Sequence, residues 1–350
     1  MPTSKGSILI TGANGGLGSA LVTNVLETPD LASNYTGLYT VRKVNGQAAS
    51  RLRSVLVKAP ASHAHETLEL DLSSLESVKR VAADINRRTA NGEMAPIRAL
   101  ILNAGFQENT TLTMTDDGFE TTWQINFLSN LVLSLLLLQS MDKDSGRVLI
   151  VSSWAHDIDD ERNALGGNDV YKDPRWPTLF PGPEALARGR WSTPEEDAST
   201  RSGFRRYGAS KLCAVMLMHE LGYRLAKDPK LSNVVVLGLD PGGMATDIVR
   251  RGSWTTRLVT MKLVIPLLAA VMVRWSPNGV ARPTWKSAAD IMEACFTRPA
   301  PKDGVLYLNG SEPHQTAKDA HDSEKRRALW TYGVKAAGIE AGDTALADWR

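Results

Sequence analysis

Tyr207 and Lys211 stand four residues apart in Tyr207-Gly208-Ala209-Ser210-Lys211, a spacing that puts both side chains on one face of a helix. An ammonium beside a phenol favours the phenolate and lowers a tyrosine from its ordinary value near ~10 by about 1–3 units, towards the range useful for proton transfer. A second chemistry is carried by Thr11-Gly12-Ala13-Asn14-Gly15-Gly16-Leu17-Gly18, which follows the apolar run 7–10 and precedes the helical pattern Leu21, Val22, Val25, Leu26. Gly12, Gly16 and Gly18 let the chain turn sharply and bring backbone N–H groups against a pyrophosphate, which the positive end of the following helix also attracts.

Both groups need a scaffold. Short apolar runs at 38–41, 67–70, 99–102, 148–151 and 234–239 alternate with helix-like segments, the pattern of βαβ units. Right-handed crossovers then give an α/β fold of Rossmann type, a doubly wound parallel sheet with helices on both faces. Two stretches interrupt the alternation. Residues 154–206 are rich in Pro, Gly, Asp and Arg, too long for an ordinary connection and expected to be an active-site insertion. Residues 243–285 turn apolar and aromatic and are expected to form a substrate lid. Trp154, Trp176, Trp191, Trp254, Trp275 and Trp285 fall in these two stretches; they either line an apolar pocket or pack the stretches onto the body. Further on come a helix at 284–296, a final strand at 305–308, a helix at 323–336 and a tail at 341–350. The expected organisation is one catalytic domain, 1–312, followed by a C-terminal helical extension, 313–350.

With 350 residues, 43% of them hydrophobic and 22% charged, the chain can bury a large core and is not disordered. A net charge of +2 without a run of like charges excludes a nucleic-acid stripe. Cys213 and Cys295 form no CxxC and no His/Cys cluster, which predicts a reducing compartment, the cytoplasm. The N-terminal residues lack a secretory pattern. The apolar stretch 258–273 contains Lys262 and Pro266, so it is expected to touch a membrane surface at most and not to cross one. The acidic cluster 156–161 reads as a solvated loop, and His63 and His65 as surface residues, so no metal is expected. The helix carrying Leu131 to Leu138 is apolar enough to serve an interface between copies as well as the core.

Five motifs in order make the chain resemble the short-chain dehydrogenase/reductase superfamily: Thr-Gly-x-x-x-Gly-x-Gly at 11–18, Asp71 in Leu70-Asp71-Leu72, Asn103-Ala104-Gly105, Ser152-Ser153, and Tyr207-x-x-x-Lys211, with Pro241-Gly242 and Thr246 beyond them. The opening Thr-Gly-Ala-Asn and the string Val-Ser-Ser-Trp-Ala-His are similar to its retinol-dehydrogenase-like branch. The resemblance implies that Tyr207 exchanges a proton with a carbonyl or alcohol oxygen while a hydride passes to or from a nicotinamide, that Lys211 also holds the nicotinamide ribose, and that Ser153, in preference to Ser152, hydrogen-bonds the reacting oxygen. It assigns Asn126 to a water-mediated proton relay. It assigns Thr11, Gly12, Asn14, Gly16, Leu17 and Gly18 to the cofactor turn, Asp71 and Leu72 to the adenine, Asn103, Ala104 and Gly105 to the adenosine side, and Pro241, Gly242 and Thr246 to the nicotinamide.

Cofactor choice is read at the end of the second strand, Tyr39-Thr40-Val41-Arg42-Lys43. A carboxylate there would bond a ribose 2′-hydroxyl, whereas Arg42 offers a fork of donors to a 2′-phosphate, so NADP(H) is expected. The 54 positions separating Ser153 from Tyr207 depart from most of the family and resemble the long insertion of protochlorophyllide reductases and of some fungal relatives of retinol dehydrogenases. With the apolar lid, this points to a ketoreductase of secondary metabolism acting on a bulky hydrophobic carbonyl compound. A nucleotide-binding sensor without turnover, double-bond reduction and cofactor-assisted cyclisation are the competing readings.

Overall fold

Successive residues of the central strands point to opposite sides, and both sides are apolar. Leu9, Leu38, Leu100, Val148, Ile150 and Val236 enter one core cluster, while Ile8, Ile10, Ala99, Ile101, Leu149 and Leu237 enter a second. A sheet greasy on both faces must be covered on both, the signature of parallel strands joined by crossover helices. The computed structural model, which describes residues 4–164, 170–244 and 273–350, has this architecture.

Strands β1 (Gly6–Ile10), β2 (Tyr35–Val41), β3 (His65–Glu69), β4 (Ile97–Leu102), β5 (Arg147–Val151), β6 (Val235–Asp240), β7 (Val305–Asn309) and β8 (Glu312–Pro313) form one sheet in the order β3-β2-β1-β4-β5-β6-β7-β8. All the pairings are parallel except that of β8 with β7. Against one face lie α1 (Gly16–Glu27), α2 (Ser50–Leu56) and, from much later in the chain, α6 (Thr284–Phe296). Against the other lie α3 (Leu75–Ala90), α4 (Thr121–Ser140), α5 (Thr200–Lys227) and α7 (Ser323–Ala336). The direction of winding reverses between β1 and β4, the place where open α/β sheets bind ligands beyond the strand ends.

Several expectations need correction. The second strand starts earlier than the apolar run 38–41, at Tyr35, and a short helix, Pro29–Asn34, leads into it. His63 is buried rather than superficial, because Nε2 meets the Tyr39 hydroxyl at 2.9 Å and Nδ1 meets the Ala32 carbonyl oxygen at 3.0 Å. The presumed tail at 341–350 is docked. Leu346 is buried, Thr344 donates to the Leu135 carbonyl at 2.6 Å, and Arg224 donates to the carbonyls of Asp348 and Arg350. Leu131 to Leu138 are wholly internal, with Gly333 of α7 seated against Leu131 and Phe127. Helix α4 is apolar and long enough to cross a membrane, but its apolar stretch is buried within the fold.

Of the insertion's tryptophans, Trp176 and Trp191 are buried in the core rather than lining a pocket. Arg205, itself buried, stacks on Trp176 at 3.8 Å and pairs with Asp197 at 2.5 Å. The insertion is fastened further where Arg206 donates to the carbonyls of Ser192 and Thr111, and Tyr171 to that of Ala155.

Candidate active site

The glycine turn sits where β1 ends. Gly12 has φ +65° and packs its α-carbon side against Ala104 of the loop after β4. A side chain on Gly18 would place its Cβ 2.2 Å from the Gly12 carbonyl oxygen. Glycine at 18 is therefore what lets α1 start directly beneath the turn. Gly15 precedes α1 and no side chain caps that end, so the helix presents its first N–H groups and its positive end to the space above the sheet. These are the donors a pyrophosphate requires, and the residues present fit such a group.

The flanking loops are knitted to this turn. Thr11 is buried, and its hydroxyl accepts from Ala104 N at 3.0 Å while Asn103 Nδ2 donates to its carbonyl at 2.8 Å. Asn14 accepts from Leu52 N at 2.9 Å, so its side chain ties α2 to the turn. Leu17 at the start of α1 and Leu72 after β3 are buried, and Gly105 in the loop after β4 is exposed. Arg42 directly follows β2, largely exposed, with its Nε 3.8 Å from Asp71. Asp71 also accepts from the Ser73 amide and hydroxyl at 2.9 and 2.6 Å.

Across the switch point, helix α5 carries Tyr207 and Lys211 one turn apart. Ser153 follows β5, its Oγ accepting from Ala155 N at 3.2 Å and lying near enough to Tyr207 to favour the ionised phenol. Ser152 instead faces Tyr307. Lys211 is buried, and its Nζ donates to the Val151 carbonyl at 2.9 Å while lying 5.7 Å from the centre of the Tyr207 ring. Burial lowers Lys211 to about 8, with Asp240 opposing that fall. Burial raises Tyr207 above its ordinary value, Ser153 opposing and Asp240 adding to the rise. The sequence argument placed the phenol below its usual range. In the folded chain desolvation outweighs the lysine, whose ammonium is engaged by a backbone carbonyl rather than by the phenol oxygen.

Asn126 sits in a π-helical turn, Gln124–Leu128, within α4. Its Oδ1 accepts from Phe106 N at 2.8 Å, and its Nδ2 donates to Phe106 O at 2.9 Å and to Ser210 Oγ at 2.8 Å. The side chain thus joins the loop after β4 to α5, beside Lys211. Pro241 and Gly242 follow β6; Gly242 has φ +79° and donates to Asp240 Oδ1 at 2.9 Å, and Pro241 O accepts from Ser287 at 2.7 Å. Thr246 and most of the expected lid lie outside the described residues. Two clefts on the described surface, one lined by Gly16, Ser19, Thr284 and Trp285 and one by His219, Tyr223 and Lys302, include neither Tyr207 nor Ser153.

The acidic cluster at 156–161 is not simply solvated. His156 is buried, Nδ1 2.7 Å from Ser153 O and Nε2 accepting from Ala317 N at 3.2 Å, and Asp160 holds Arg162 at 2.5 Å. Sequence reasoning gave Arg162, Asp240, Arg282 and Asn309 no part, yet they form one network at this end of the sheet. Arg162 reaches Asp240 Oδ2 at 2.9 Å and Asn309 at 3.3 Å, and Arg282 donates to the Asp240 carbonyl at 2.8 Å and to Asn309.

A winding reversal with an uncapped helix and a glycine cradle on its first strand defines a Rossmann-type nucleotide-binding α/β domain, and the Ser153–Tyr207–Lys211 group stands across the same opening. The pattern of the short chain dehydrogenases matches residues 7–161. The chain is 44% identical to the short-chain dehydrogenase iccH of Talaromyces variabilis over 99% of both chains. The chain belongs to the short-chain dehydrogenase/reductase family. It is also 26% identical to the chloroplastic protochlorophyllide reductase A of Oryza sativa subsp. japonica, over 96% of this chain and 81% of that one. Among solved structures, the NADPH-bound carbonyl reductase from chicken fatty liver shares its fold, with a TM-score of 0.55, 20% identity, and coverage of 88% of this chain and 97% of that one.

Proposed function

We propose that the chain is an NADP(H)-dependent oxidoreductase interconverting a carbonyl and an alcohol on a bulky hydrophobic substrate, with Tyr207 as the acid/base. The observation that carries this reading is the convergence of Tyr207 and Lys211 on one face of α5, the ammonium 5.7 Å from the centre of the phenol ring, with Ser153 just past the end of the adjoining β5. Two hydroxyls side by side can converge on one substrate oxygen, Tyr207 giving or taking the proton and Ser153 holding the charge that develops. Lys211, kept in place by the Val151 carbonyl, supplies a positive field under the phenol. A nicotinamide bound at this opening supplies the hydride donor or acceptor. Gly12, Gly16, Leu17 and Gly18 would hold its pyrophosphate, and Arg42, exposed at the end of β2, a 2′-phosphate. Asp71, Leu72, Asn103, Ala104 and Gly105 would border the adenosine, with Pro241 and Gly242 towards the nicotinamide. Asn126 would act as a positioning residue that sets α5 against the loop after β4. Buried, unpaired Cys213 and Cys295 support a cytoplasmic setting.

The test is a titration with NADPH and NADH by nicotinamide fluorescence, followed by a turnover screen against hydrophobic ketones, aldehydes and enones with product identification. Preferential NADPH binding and an alcohol product are expected, and Tyr207→Phe should keep cofactor affinity while losing most turnover. Full activity in that variant, or a saturated or rearranged product, would overturn the assignment.

A further inference from the structure

We propose that Asp240 and Arg162 form a positioning pair that fastens the insertion to the Pro241-Gly242 turn and sets the charge surrounding Tyr207 and Lys211. The proposal rests on the acid/base reading of Tyr207. Asp240 ends β6, is 1% exposed, and spends its two carboxylate oxygens separately, Oδ1 on the Gly242 amide and Oδ2 on Arg162, both at 2.9 Å. The first bond shapes the turn after β6. The second reaches across to the insertion, where the Arg162 guanidinium also lies over Trp154 at 5.2 Å. Trp154 directly follows Ser153 and lies against Gly243, where an added Cβ would come within 3.1 Å of its ring. One cation therefore clamps the residue after Ser153, the turn after β6 and, through Asn309, the end of β7.

Asp240 is also placed to act on the Tyr207–Lys211 pair. Val151, whose carbonyl holds Lys211, is in register with Leu239, so Asp240 is the next residue along the neighbouring strand. Its charge favours the Lys211 ammonium and disfavours the Tyr207 phenolate. The other titratable or charged groups that sense Asp240 are Arg162 and His156 of the insertion, Arg282 ahead of α6, and Tyr307 of β7. Arg282 spends its Nη1 on the Asp240 backbone carbonyl, leaving the carboxylate to Arg162. An uncompensated anion at the interior end of β6 would push Tyr207 up, and an uncompensated cation would pull it down; Arg162, which is also held by Asp160, and Arg282 together balance the two carboxylates of Asp240 and Asp160.

Three variants test this: Asp240→Asn, which keeps an oxygen for the Gly242 amide, Arg162→Met, which keeps an apolar stem over Trp154, and the two combined. The pH profile of alcohol oxidation, limited at its acid end by loss of the phenolate, should shift to lower pH in Asp240→Asn and to higher pH in Arg162→Met, by about half a unit or more each. The double variant should return towards the wild-type profile. A purely structural clamp would lower the rate in both single variants without moving their profiles in opposite directions, and that result overturns the proposal. The midpoint of Lys211 acylation by acetic anhydride, followed by mass spectrometry, reads the same field without turnover. It should fall in Asp240→Asn and rise in Arg162→Met, and unchanged midpoints also overturn the proposal. Absence of any alcohol oxidation by the wild type would instead count against the acid/base reading of Tyr207, leaving the Lys211 midpoints to decide the pair.

Discussion

Replacing Gly18 by Ala tests the cofactor cradle directly. The added methyl would stand 2.2 Å from the Gly12 carbonyl oxygen and 2.8 Å from the Ala13 Cα. Both are backbone atoms of a turn already at positive φ, so no flexible side chain can give way, and the turn must open by about 1 Å. Overpacking of this kind costs about 1–3 kcal/mol, of which the better helix propensity of alanine returns about 1. The cradle should suffer more than the fold, because shifting the turn takes two or so N–H donors out of reach of a pyrophosphate. At about 1.5 kcal/mol or more per charge-assisted bond, that is a loss of roughly 3 kcal/mol, or about 100-fold in affinity. Gly15→Ala is the control, since its Cβ would meet only the Gly12 carbonyl at 3.3 Å and its φ of −68° suits any residue. Fluorescence titration with NADPH, paired with thermal melting, should show weak binding by a folded Gly18→Ala protein and near-normal binding by Gly15→Ala. Affinity within about threefold of wild type in Gly18→Ala would refute the reasoning that places the pyrophosphate here.

Three further outcomes are expected. Arg42→Ala should weaken NADPH about 10-fold, the lower end for an arginine–phosphate contact because the side chain is largely exposed, and leave NADH nearly unchanged; equal losses would place the 2′-phosphate contact elsewhere. Burial raises Glu120 to about 7 from 4.5, against Arg206 at 3.9 Å. Its contribution to stability is therefore full below about 4.5 and is lost as pH rises through 7, and Glu120→Gln should flatten that part of a denaturation profile. Trp330 is 2% exposed, donates to Trp349 O at 2.8 Å and stacks with Arg224 at 4.5 Å. Trp330→Ala should cost about 3–5 kcal/mol in chemical unfolding, and a loss below about 1 would mean that the C-terminal segment contributes little.

The parts of the site legible in the sequence are those written locally. The turn at 11–18 lies between one strand and one helix, and Tyr207 and Lys211 share a single helix face, so spacing alone implied their geometry. The network around Asp240 was hidden because its contacts join residues far apart in the chain, 78 positions for Arg162 and 42 for Arg282. No local periodicity records such a pairing. The state of Tyr207 was misjudged for a related reason. The lysine is visible in the sequence, but the desolvation that outweighs it comes from the whole fold. The insertion's tryptophans were ambiguous because a buried indole and a pocket-lining indole look alike until their neighbours are known.

The docking of residues 323–350 bears on how the chain is made. Residues up to 322 already contain every strand, yet one layer of the sandwich is finished only when Gly333 settles on Leu131, Trp330 on Arg224 and Thr344 on the Leu135 carbonyl. Until residues 323–350 have docked, the part of the α4 face around Leu131 and Leu135 lacks its cover and offers an apolar surface to other chains. This layer of the core is thus closed only by a segment more than 180 residues downstream of α4, and a chain truncated before residue 323 should expose apolar surface and associate with itself.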